Sequence, residues 1–135
     1  MLQYQVKHFS PKEFTCHCCG NGLPALMLVL WLDMLRKAWG DVVLVNSGYR
    51  CPKHNAEVGG AKRSRHLLGC AADITTLNST TDKAEFERFT AFVSRMAGTT
   101  PEGWEVIIYP QKRFIHVGIP RDEEGRKWAG GRILL

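Results

Sequence analysis

A chain of 135 residues, 44% of them hydrophobic, is long enough for one domain with its own core, and residues 1–135 read as that single domain. Its longest apolar run, Leu26 to Leu32, stops at Asp33, which excludes a membrane span. The net charge of +5 is dispersed and lacks aromatic interleaving or a basic helical stripe, so a solvated surface is expected and no nucleic-acid partner.

Met1 to Gln5 has neither the basic start nor the apolar stretch of a secretory signal, so synthesis in the cytoplasm and reduced thiols are expected. Ser10-Pro11-Lys12-Glu13 suits one short helical turn. Cys16, Cys18 and Cys19 follow as a cluster, while Cys51 and Cys70 stand alone. A structural zinc on Cys16, Cys19 and His17 is open to that cluster, but the cluster alone supplies too few well-spaced ligands. One zinc per chain, held elsewhere, is the expectation.

Pro24 to Trp39 predicts a helix: proline suits the first turn, Arg36 and Lys37 suit the negative end of the dipole, and Gly40 supplies the stop. Val42 to Val45 is short, β-branched and bounded by polar residues, as in a buried strand. Pro52 opens a short helix ending near Gly59-Gly60. Ala71 to Thr75 reads as a second strand. Asp82 and Glu85 signal the start of a helix that carries Phe86, Phe89 and Val93 on one face and stops at Gly98. Trp104 to Tyr109 and Phe114 to Ile119 form a hairpin about Pro110 to Arg113. The sum is α+β: a small, mainly antiparallel sheet with flanking helices and a metal site on the sheet face.

The motif His66-x-x-Gly69-x-Ala71-x-Asp73 carries the chemistry. By ordinary residue usage it arises by chance on the order of once in a thousand chains of this length. Two ligands of one zinc have donor atoms about 3–3.5 Å apart. Seven residues of helix span about 10 Å and seven of strand over 20 Å, so the chain must turn between His66 and Asp73. Gly69 is the residue that permits it. His116 supplies a third donor, pointing away from the core face defined by Ile115, Val117 and Ile119. Two imidazoles and a carboxylate hold zinc and leave a coordination position open.

Ser47-Gly48-Tyr49-Arg50, Ser64-x-His66-x-x-Gly69-x-Ala71-x-Asp73 and the later strand histidine resemble the zinc D-Ala-D-Ala carboxypeptidases. That family includes vancomycin-resistance dipeptidases, murein endopeptidases and phage L-alanyl-D-glutamate endolysins. The likeness runs from about His8 to Ile119 and is nearest to small phage and prophage members. It implies a monomeric zinc peptidase cutting peptidoglycan stem peptides next to a D-amino acid and reaching the wall through a pore-forming partner or within a virion. It implies His66, Asp73 and His116 as zinc ligands, Arg50 as the donor that steadies negative charge on the reacting oxygen, and Ser64 and Tyr49 as contacts of the bound peptide.

The chain departs from the family at the general base. A carboxylate often stands three residues before the last histidine, or two after it; here these positions are Arg113 and Gly118. With a four-residue hairpin loop, Ile107 faces His116 and Glu105 faces Gly118, which sets Glu105 diagonal to His116 as a replacement base. A one-residue slip would turn it away. The competing expectations are a zinc-containing wall-binding or virion component that has lost catalysis, and a basic zinc module for nucleic acid.

Overall fold

The computed structural model describes residues 6–98 and 103–120, so the basic residues from Arg121 to Arg132 lie outside the described residues. Four strands, β1 (Leu44–Ser47), β2 (Ala71–Thr75), β3 (Glu105–Tyr109) and β4 (Phe114–Gly118), form one sheet in the order β1-β2-β4-β3, antiparallel throughout. Among the described residues three α-helices accompany it: α1 (Leu26–Trp39), the short α2 (Pro52–Glu57) and α3 (Lys83–Gly98). The expected α+β class is the observed one.

Side-chain alternation decides which face of the sheet is core. Ala72, Ile74, Ile115 and Val117 join Leu28, Leu32 and Leu35 of α1 and Phe86, Phe89 and Val93 of α3 in one buried cluster. The helix residues recur at three- and four-residue spacing, the period of one helical face. Each such side chain contributes about 1.5–3 kcal/mol by leaving water. Aromatic pairs close the ends of the layer: Trp31 stacks on Trp104 at 4.3 Å, and Trp39 meets Phe89 edge-on at 5.1 Å. The intervening strand residues, Asp73, His116, Glu105 and Gly118, therefore share the opposite face, away from α1 and α3.

The hairpin strands are each one residue shorter than expected, and two elements differ by more. The first helix begins at Leu26, not Pro24, because the Ala25 N–H reaches the Gly69 carbonyl at 2.8 Å and keeps the chain extended through Ala25. The first strand runs from Leu44 to Ser47, not Val42 to Val45. Val42 is exposed and its N–H is taken by Asp41 Oδ1 at 2.7 Å, while a bulge between Val45 and Ser47 carries the pairing on to Asp73.

The turn before β2 forms at Gly69. A 3₁₀ turn over Arg65–Leu68 is capped by Ser64, whose Oγ accepts the His66 N–H at 3.1 Å. Gly69 then adopts φ +70°, and a Cβ there would overlap the Leu23 carbonyl oxygen. Gly69→Ala is accordingly expected to lose about 2 kcal/mol or more, through backbone strain and displacement of the Leu23 segment. Urea unfolding checks this; a midpoint equal to the parent's would mean the turn tolerates a side chain.

Candidate metal centre

β2 and β4 put Asp73 and His116 directly opposite each other, and the turn at Gly69 brings His66 over them. His66 Nε2 lies 3.1 Å from Asp73 Oδ1 and 3.2 Å from His116 Nδ1, and His116 Nδ1 lies 3.2 Å from Asp73 Oδ1. The three residues are only 1%, 8% and 8% exposed. A tetrahedral ion with bonds near 2 Å requires donor separations of about 3.3 Å, so the triangle has the right size for one zinc.

The outward atoms of the two rings settle which nitrogens face inward. His66 Nδ1 is 2.7 Å from the Gly48 carbonyl, which only accepts, so Nδ1 carries the proton. His116 Nε2 is 2.6 Å from Glu105 Oε1, and an ionised carboxylate likewise only accepts. His66 Nε2, His116 Nδ1 and Asp73 Oδ1 are then the three atoms that can turn a lone pair to one cation. A cation at the centre would take all three, and the outer bonds to Gly48 and Glu105 are what fix metal-binding imidazoles in place. Burial alone would raise the Asp73 carboxyl, but the His116 and His66 nitrogens outweigh it and hold it at about 2, so the oxygen is ionised and available.

Glu105 sits where the hairpin register puts it, paired with Gly118 and diagonal to His116. Its second oxygen pairs with Arg65 Nη1, and Arg65 Nε donates to the Ile119 carbonyl at 2.9 Å. Partial burial would raise the Glu105 carboxyl; the His116 bond and the Arg65 charge prevail and lower it. Gly118 has room for nothing larger, since a Cβ there would meet the Arg65 side chain and Glu105 Oε1. On this face the acidic residue is Glu105 of β3, and its small partner is Gly118 of β4. Arg113, three residues before His116, turns toward α3: its guanidinium lies 5.9 Å over the Phe86 ring and donates to the Ser79 carbonyl.

The triangle opens into a cavity of about 470 Å³, walled by the loop from Val58 to Arg65 and by the outer faces of β3 and β4. Arg50, Arg63, Arg65 and Lys112 all reach it, against the carboxylates Asp73 and Glu105. Arg50 Nη2 is 3.4 Å from Ser64 Oγ, its backbone N–H holds the His66 carbonyl at 3.0 Å, and its buried Nε has no partner among the described residues. Ser64 lines the cavity. Tyr49 does not: its ring lies against Gly22, because its N–H is drawn to the Phe14 carbonyl at 2.8 Å. The anchor Arg65 and the wall residues Tyr109 and Lys112 were not singled out from the sequence, where adjacency to His66 or to the hairpin loop was the only hint.

A buried triangle of two imidazoles and one carboxylate, beneath an open cavity lined with cations, is a candidate site for one metal ion with a coordination position left open. Residues 7–118 match the model of the family Peptidase M15, and the chain belongs to that family. The chain is 44% identical over 50 residues to the zinc D-Ala-D-Ala carboxypeptidase of Streptomyces albus G, a match covering 36% of this chain and 20% of that protein. The match thus spans about a fifth of the relative's length. Among the described residues, no helix is long and apolar enough to cross a membrane.

Proposed function

We propose that the chain hydrolyses peptidoglycan stem peptides next to a D-amino acid, with His66, Asp73 and His116 holding one zinc. The observation that carries this reading is the inward-facing triangle of two imidazole nitrogens and one carboxylate oxygen at the floor of the cationic cavity. Stem peptides carry free carboxylates, and a wall bearing Arg50, Arg63 and Lys112 suits them. The resemblance to small phage and prophage enzymes, and the name of the Streptomyces relative, support the same substrate class.

Zinc bound there would polarise the scissile carbonyl and lower the pKa of the attacking water. The chain's own residues supply the rest. Glu105, its carboxyl pKa lowered and beside His116, would take the water's proton and pass it to the leaving amine. Arg50 offers the unpartnered Nε–H to the oxygen that gains negative charge. A guanidinium suits this because it stays charged and donates from a fixed plane. Ser64 orients Arg50 and borders the peptide.

A second reading is favoured by one observation: both oxygens of Glu105 are already engaged, one by His116 and one by Arg65. On that reading Glu105 only positions His116, and the domain is a zinc-containing wall-peptide binder or virion component. Incubating zinc-loaded protein with purified murein separates the two. Hydrolysis releases new amino groups, at a rate abolished by chelation and restored by zinc. Binding to murein with no amino groups released would support the non-catalytic reading.

A further inference from the structure

Four of the five cysteines meet at one point. Cys16, Cys18, Cys19 and Cys51 have sulfurs all within 4.8 Å of one another, and none of the four is in a disulfide. Cys16 Sγ lies 3.7 Å from Cys18 Sγ, and Cys18 Sγ lies 3.3 Å from Cys51 Sγ. A zinc ion with four thiolates at about 2.3 Å requires sulfur–sulfur separations of about 3.8 Å, within the observed range.

The backbone is folded to present these thiols. The Gly20 N–H reaches the Cys16 carbonyl and the Cys16 N–H reaches the Asn21 carbonyl, each at 2.8 Å, curling residues 16–21 into a tight loop. Gly20 and Gly22 take φ +70° and +100°, conformations that close such a loop. Two main-chain donors aim at sulfur: the Cys51 N–H at Cys16 Sγ and the His54 N–H at Cys51 Sγ, each at 3.4 Å. Donors of this kind stabilise thiolates over thiols.

We propose that Cys16, Cys18, Cys19 and Cys51 form a second, structural zinc site. Four sulfur ligands close the coordination sphere, so the site holds structure and does no chemistry on substrate. It staples the opening segment to the loop that builds the centre described above. Cys51 follows Arg50, and Gly48, three residues before Cys51, gives its carbonyl to His66 Nδ1. The two segments are packed too closely to be held apart: a Cβ on Gly48 would strike the Phe14 backbone, and the Tyr49 ring covers Gly22. The site thereby sets where Gly48 and Arg50 stand.

Cobalt titration of the reduced, metal-free protein tests this without reference to activity. A sulfur-ligated cobalt ion gives an intense near-ultraviolet thiolate-to-metal charge-transfer band, which a centre of two imidazoles and a carboxylate cannot give. The band is expected in the parent and in His116→Ala, and is expected to be lost in Cys51→Ser. Zinc should displace the cobalt and protect four of the five thiols from alkylation in the parent protein, a measurement that needs no variant to fold. Absence of the band, a full-strength band in Cys51→Ser, or equal alkylation with and without zinc would each overturn the proposal. Loss of metal at His66, Asp73 and His116 alone would leave the band intact, so the two sites fail independently.

Discussion

Asp73→Ala is expected to remove one zinc equivalent and to lower murein hydrolysis by about 10³-fold or more. The residue supplies the charged corner of the triangle, and without it only the two imidazoles, 3.2 Å apart, remain. Metal stabilisation of transition-state charge amounts to several kcal/mol, and each decade of rate corresponds to about 1.4 kcal/mol. The fold should survive: Asp73 lies on the outer face of β2, and the core neighbours Ala72 and Ile74 are untouched. Metal content by elemental analysis, circular dichroism and amino-group release are read together. Unchanged zinc content with unchanged turnover would remove Asp73 from the ligand set.

Glu105→Gln is the second large effect, and it divides base from scaffold. A glutamine carbonyl still accepts the His116 Nε2 proton, so the inward-facing Nδ1 and the zinc content should be retained. The amide cannot take a proton from water, and turnover is expected to fall by about 10²–10⁴-fold, the range of a general base. Glu105→Ala also cuts the bond to His116, and zinc affinity should then drop by about 10–100-fold. If Glu105→Gln turns over at the parent rate, the base assignment is wrong. If excess zinc restores its activity, the residue serves His116 alone.

Much of this centre was legible before any coordinates, for reasons that can be named. His66 and Asp73 are seven residues apart, and chain geometry alone forces a turn that only Gly69 accommodates. The hairpin register followed from a four-residue loop, and with it the position of Glu105 beside His116. The two-residue period of β4 separated His116 from the core in the same way. Contacts between distant segments were not legible. Cys51 lies 35 residues from Cys16, and no local periodicity records that they meet. Tyr49 shares a motif with Arg50, yet adjacent residues on an extended segment point opposite ways, and the packing of Phe14 and Gly22 decided which faced the cavity. The start of the first strand was missed because Asp41 captures the Val42 N–H, a side-chain bond that outweighs β-branched propensity.

The most direct test is a crystal structure of zinc-loaded protein with anomalous data collected on both sides of the zinc absorption edge. The account predicts a peak bonded at about 2.0–2.2 Å to His66 Nε2, an Asp73 carboxylate oxygen and His116 Nδ1, with His116 Nε2 still held by Glu105. Fully zinc-loaded crystals whose anomalous peaks all lie away from that triangle would contradict it.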